Sequence, residues 1–191
     1  METQRKELID EFISMNSRIN LSAIRDEAGI WTKHVQDSLE INKVITLKAK
    51  HTLCDVGTGG GFPLLPIAIS NPDLQCIGID STRKKVDAVN EMITHLKIAN
   101  AKAIRTRAED HKEEYDYVTA RAVSYIDKLL PQIHHLVKKR GFLILYKLHT
   151  PEESQDIAYL SKKFHFSMQK KHKYTLFEGD IQRIMYVFKK S

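Results

Sequence analysis

The chain has 191 residues, 42% hydrophobic and 28% charged, and its 30 Lys and Arg against 24 Asp and Glu leave a formal charge of +6. Such a composition belongs to a globular chain long enough to bury a sizeable core, and it excludes disordered, collagen-like and cysteine-stapled classes. The longest apolar runs, Leu64 to Ile69 and Phe142 to Tyr146, fall far short of the roughly 18 residues that span a bilayer. METQRKELIDEF is charged and lacks a secretory apolar segment, so a cytoplasmic protein is expected, with no membrane partner.

No repeat or Pro/Gly/Ser linker divides the sequence, which predicts a single domain over 1–191, with a helical lead-in (1–48) before an α/β core (49–191). From Gln4 to Met15, Leu8, Ile9, Phe12 and Ile13 recur at helical spacing. A second helix is predicted from Asp26 to Val44, with Ile30, Trp31, Val35 and Leu39 on its apolar face. From His51 the texture changes to alternation. HTLCDVG reads as a buried strand, FPLLPIAIS as a helix, LQCIGID as a strand and STRKKVDAVNEMITHLKI as an amphipathic helix. AKAIRTRAED and YDYVTARAV are the third and fourth strand candidates, and YIDKLLPQIHHLV reads as a helix whose basic end, Lys138 to Arg140, leads through Gly141 into the strand GFLILYKL. A helix over PEESQDIAYLSKKF precedes two consecutive strand-like runs, HFSMQKKHKYTL and RIMYVFKK. Strand alternating with helix implies a mostly parallel sheet covered on both faces, here of seven strands with an antiparallel C-terminal edge. Cys54 and Cys76 fall on adjacent strands and are expected as buried thiols, and neither CxxC nor clustered His points to a metal.

DVGTGGGF, Asp55 to Phe62, ends the first strand where ligands meet parallel sheets. A Walker-type loop requires Gly-Lys, which the chain lacks. A dinucleotide fingerprint would place Phe62 where a third small residue is required. The spacing present, Asp55, Gly57, Gly59 and Gly61, resembles motif I of class I S-adenosylmethionine-dependent methyltransferases. Asp80 ends the second strand, where a carboxylate accepts hydrogen bonds from ribose hydroxyls. Ala108 and Glu109 follow the third strand, where such enzymes frame adenine.

The lead-in is more specific. Asn16, Ile19, Asn20, Leu21, Ser22, Ala23, Ile24, Arg25 and Asp26, followed by His34, Asp37, Ser38 and Leu39, resemble the segment N-x-x-I-N-L-[ST]-A-I-R-D…H-x-x-D-S-L of the bacterial ribosomal small-subunit RNA methyltransferase G family, also called glucose-inhibited division protein B. The similarity continues through DVGTGGGFPLLPIAI, IDSTRKKVDAVNE, RAED and TARAV to LYKL. It implies a class I Rossmann-like methyltransferase that uses S-adenosyl-L-methionine to methylate N7 of a guanine in 16S ribosomal RNA, with that RNA or the small ribosomal subunit as partner. A monomer is expected because no long apolar surface helix is left without a place. The resemblance further implies that Gly57, Gly59, Gly61, Phe62, Asp80, Ala108, Glu109 and Arg121 surround the cofactor, and that Arg25, His34, Asp37, Ser38 and Lys147 lie on the substrate side. Gly60 stands where many members have Pro or Ala, and Leu148 where many have Gly. No catalytic base is assigned, because guanine N7 carries a lone pair and no proton.

Cationic residues suit a polyanion: Arg5, Lys6, Arg18, Arg25 and Lys33 in the lead-in, then Lys162, Lys163, Lys170, Lys171 and Lys173 with no acid between. The second group equally suits an edge strand protected from aggregation. A methyltransferase acting on a small molecule or protein, and a cofactor- or RNA-binding module without turnover, remain alternatives at this level.

Overall fold

The apolar runs that begin at Thr52 become one seven-stranded sheet in the computed structural model, which describes residues 2–123, 125–150, 157, 162–176 and 181–191. The strands are β1 Thr52–Val56, β2 Gln75–Asp80, β3 Ala101–Arg105, β4 Tyr115–Arg121, β5 Val137–Leu148, β6 Phe166–Leu176 and β7 Ile181–Lys190. Their order is β3-β2-β1-β4-β5-β7-β6. β1 to β5 run parallel, and β7 pairs antiparallel with both β5 and β6. β1 has β2 on one side and β4 on the other, so the strand order reverses there and opens a crevice beyond the carboxyl ends.

Two apolar clusters lie on the two faces of this sheet. One joins Leu8 and Phe12 of the lead-in to Leu64, Leu65, Val89 and Met92, and the other packs Leu129, Leu130 and Ile133 on Leu143 and Leu145. Helices α4 (Leu64–Ser70) and α5 (Arg83–His95) belong to the first, and α6 (Ile126–Ile133) to the second. Cys54 and Cys76 are free, buried thiols, as expected.

The lead-in begins with α1 (Glu2–Ile19), longer than its apolar spacing suggested. The Asn16 side chain then ties down the turn that follows, donating to the Ser22 and Ile24 carbonyls at 3.0 Å each and accepting from the Ser22 N–H at 2.8 Å. The expected second helix forms as a composite. Asp26 caps α2 (Glu27–Ile30) by accepting from the Gly29 N–H, a π turn covers Trp31–Gln36, and α3 (Asp37–Leu39) runs into a 3₁₀ turn at Glu40–Lys43. The π turn inserts extra backbone into the helical path and coincides with burial of the polar pair Asp37 and Ser38.

Two boundaries differ from expectation. β5 starts at Val137 instead of Gly141, because Lys138 to Arg140 form an extended bulge instead of a helix end: Tyr115 pairs with Val137, but Tyr117 pairs with Phe142. The Lys138 ammonium reaches Asp116 at 3.0 Å from that bulge. α4 starts at Leu64, since the glycine loop continues through Pro63. The helix expected over 151–164 lies largely outside the described residues.

Candidate cofactor cleft and adjoining polar cleft

The glycine loop is pinned to the neighbouring strand before it turns. The Gly57 and Thr58 N–H groups both donate to the Ile79 carbonyl, at 2.8 and 3.0 Å. Gly59 and Gly61 have φ of +56° and +91°, left-handed conformations that suit glycine. At Gly61 space is also exhausted, since a Cβ would lie 2.6 Å from Leu65 Cδ1.

Asp80, at the end of β2, closes the loop from the other side. Its Oδ2 accepts from the Gly59 N–H at 3.1 Å and its Oδ1 from the Thr82 N–H at 2.8 Å. An ionised carboxylate has about four acceptor positions, so two remain for hydroxyl donors. Beside it opens a cleft of about 340 Å³ lined by Gly57, Asp80, Ala108, Glu109, Val123 and Gln132, among others. Behind the loop, Asp55 is fully buried and accepts from the Thr119 hydroxyl at 2.9 Å. Burial pushes its carboxyl up to about 6, an effect that the Thr119 hydroxyl and the Arg121 charge partly offset.

A second cleft, of about 260 Å³, adjoins the ends of β4, β5 and β7 and is lined by Ile24, Lys33, His34, Arg121, Leu148 and Arg183 among others. Asp37 organises its wall. It accepts from Arg121 Nη1 at 3.1 Å, from Arg183 Nη2 at 3.0 Å and from the Tyr174 hydroxyl at 2.6 Å. The His34 ring stacks on Phe62 with centroids 4.9 Å apart, and Phe12 meets Phe62 edge-on at the same distance. Arg121 Nη2 lies 3.4 Å from His34 Nδ1, and since a guanidinium only donates, Nδ1 accepts and Nε2 carries the proton toward Ser22 Oγ at 2.9 Å. Burial, with help from the Arg121 charge, lowers the His34 pKa to about 4, so the ring is neutral at pH 7.

Gly57, Asp80, Ala108 and Glu109 thus share the first cleft, and Gly59 joins them through its bond to Asp80. Phe62 is only 5% exposed and packs beneath His34, while Gly61 faces Leu65. Arg121, His34 and Asp37 gather around the second cleft. Ser38 is buried, with its carbonyl accepting from the Tyr146 hydroxyl at 2.8 Å, and Arg25 is exposed, donating to Asn20 Oδ1 at 2.8 Å. Lys147 is buried in β5 on the sheet face of Leu143 and Leu145, away from that group. The C-terminal lysines 170, 171 and 173 are exposed on edge strand β6, where Lys170 donates to the Lys43 carbonyl at 2.9 Å and Lys171 lies over the Tyr186 ring. Sequence reasoning missed Arg183 and Tyr174. Their only signal is an Arg and a Tyr on terminal strands, and the partner that gives them meaning is far away in sequence.

The mostly parallel sheet, with a glycine turn after β1, an acid after β2 and a cleft beyond β3, has the fold of class I S-adenosylmethionine-dependent methyltransferases. Solved structures with this fold include an S-adenosylmethionine-dependent methyltransferase from Aquifex aeolicus (17% identity, 84% of this chain and 92% of that one, TM-score 0.65). Coclaurine N-methyltransferase, bound to N-methylheliamine and S-adenosylhomocysteine, is another (12% identity, 82% and 70%, TM-score 0.62). The chain belongs to the rRNA small subunit methyltransferase G family, whose model matches residues 1–185. Among curated relatives, ribosomal RNA small subunit methyltransferase G of Lachnoclostridium phytofermentans is 35% identical over 95% of this chain and 78% of its own. The protein of the same name from Listeria monocytogenes serotype 4b is 32% identical over 100% of this chain and 84% of its own.

Proposed function

We propose that this enzyme transfers the methyl group of S-adenosylmethionine to N7 of a guanine in 16S ribosomal RNA. The observation that carries this reading is the reach of the family match, which covers the lead-in as well as the cofactor-binding sheet. A match to the sheet alone would name only a cofactor.

The cleft fits that cofactor. The free acceptor positions of Asp80 suit ribose hydroxyls, and Ala108 and Glu109 border the place for adenine. Gly57 and Gly59 bring backbone rather than side chains to the methionine end, while Gly61 and Phe62 shape the loop from its buried side. Bound there, the cofactor supplies an electrophilic methyl group on a positively charged sulfur. Guanine N7 attacks with its own lone pair, so the chain has no proton to remove. Its work is orientation, which can supply about 7 to 11 kcal/mol when reacting atoms are held at attack distance. Arg121, on the wall of the second cleft and fixed by Asp37, would orient the substrate from that side, and neutral His34 braces it without adding charge.

On the RNA side, Arg25, Lys33 and His34 come from the lead-in, and Asp37 and Ser38 act through the groups they hold, Arg121 and Tyr146. Lys147, on the opposite sheet face, stands apart from them. No described helix is long and apolar enough to cross a membrane, and a ribosomal substrate fits action in the cytoplasm. Incubation with labelled S-adenosylmethionine and unmethylated small subunits or their RNA should place label at a single guanine N7. Label confined to small molecules, or no label in RNA, would overturn the reading.

A further inference from the structure

Among the described residues, the exposed large hydrophobics are Val123, Tyr125, Leu148 and Met168. Three of the four stand where β4 and β5 deliver the chain to the ligand edge. Val123 lines the first cleft, and one of its methyls is 3.0 Å from where a Cβ on Gly57 would sit. Leu148 lines the second cleft. Tyr125 lies two residues beyond the segment Arg121 to Val123, whose residues line both clefts, and occupies the cap position of α6. Tyr125 is 55% exposed, and among the described residues its side chain has no hydrogen bond, ring contact or ion pair.

The backbone of Tyr125 is committed to folding, since its carbonyl accepts from the Lys128 and Leu129 N–H groups at 3.2 and 3.0 Å. The side chain is not. A large aromatic ring left in water two residues beyond Val123 of the first cleft, at the ligand edge of the sheet, is an unfilled stacking surface. A protein partner does not fit it: a stable protein interface covers on the order of 800 Å² per side, far more than one ring offers. A nucleobase does fit, because every base has a π-face, and RNA bases that are read or modified are commonly splayed out onto aromatic side chains.

We propose that Tyr125 is the platform on which a nucleobase of the RNA substrate stacks as the target guanine enters the seam between the clefts. The proposal rests on the ribosomal-RNA reading above. It makes Tyr125 a substrate-positioning residue, with the ring face rather than the hydroxyl as the active element. Phe and Trp therefore replace it, whereas Leu, with similar apolar bulk and no π-face, does not.

The test measures methyl transfer to unmethylated small-subunit RNA by the wild type and by Tyr125→Ala, Tyr125→Leu, Tyr125→Phe and Tyr125→Trp, with S-adenosylhomocysteine affinity and melting temperature measured alongside. Loss of one stacked base is expected to lower kcat/KM for RNA about ten-fold or more in the Ala and Leu variants. Tyr125→Phe and Tyr125→Trp should stay within about two-fold of wild type, and cofactor affinity and melting temperature should be unchanged in all four. Wild-type activity in Tyr125→Ala, rescue by Leu, or a loss explained by weakened cofactor binding would overturn the platform while leaving the function intact. A wild-type enzyme that transfers no methyl group to RNA would overturn the underlying reading and the platform with it.

Discussion

Arg121 at the end of β4 and Asp37 in the lead-in form an ion pair of 3.1 Å across 84 residues of chain, with both side chains almost wholly buried. Arg183 shares the same carboxylate at 3.0 Å. One acid therefore balances two guanidiniums at the wall of the second cleft, and Tyr174 adds a hydroxyl donor.

Removing that acid strands both cations. Asp37→Ala should cost about 3–5 kcal/mol of stability, the usual result of deleting one partner of a buried pair. Urea denaturation of the variant checks this, and a loss below about 1 kcal/mol would show that water readily replaces the carboxylate.

Two buried groups should oppose each other as pH changes. His34 falls from 6.5 to about 4 on folding, so the unfolded chain holds its proton more tightly. Its stabilising contribution is full above pH 6.5 and is lost as pH falls through 4. Asp55 rises from 3.8 to about 6, so the folded chain holds that proton more tightly. Its contribution is full below pH 3.8 and is lost as pH rises through 6. Each effect is on the order of 3 kcal/mol, and they largely cancel between pH 4 and 6. Relative to wild type, His34→Gln should lose stability as pH rises across that window, and Asp55→Asn should gain it. Denaturation midpoints for the three proteins at several pH values decide the matter, and parallel curves would refute it.

The glycines of the loop should not be equivalent. Gly59→Ala meets only the Gly57 carbonyl at 3.7 Å, so it carries the left-handed backbone cost, about 1–2 kcal/mol. Gly61→Ala has that cost and a 2.6 Å approach to Leu65, which adds overpacking of about 1–3 kcal/mol. Thermal unfolding should rank Gly61→Ala well below Gly59→Ala, and equal losses would contradict the loop geometry.

Asp80→Ala should weaken S-adenosylhomocysteine binding about 10- to 100-fold, since hydrogen bonds to a charged group contribute roughly 1.5–3 kcal/mol and the loop loses its acceptor. Isothermal titration calorimetry measures it, and an unchanged affinity would remove Asp80 from the site.

The first cleft was legible in sequence because its parts are local: a glycine turn and two strand ends, each readable from its own few residues. The sheet was legible for the same reason, as runs like TLCDV and FLILY have no alternative to burial. The second cleft was not. Arg183 meets Asp37 across 146 residues, and only the seating of β7 beside β5 brings them together. Lys138 to Arg140 misled because cations after a helix suit its C-terminus, yet Asp116 on the neighbouring strand holds Lys138 in an extended bulge. The π turn at Trp31–Gln36 leaves no mark on apolar spacing, and neither does the stacking of His34 on Phe62.

The position of β7 gives the Asp37 cluster another consequence. β6 precedes β7 in the chain but reaches the sheet only through it, so the two must dock on β5 as one hairpin. Arg183 and Tyr174 sit directly opposite each other in that hairpin and both point at Asp37. A slip of one residue against β5 would send Arg183 to the other face and leave Asp37 short of a guanidinium. The buried acid is therefore a register key, accepting the C-terminal hairpin in one alignment and penalising its neighbours.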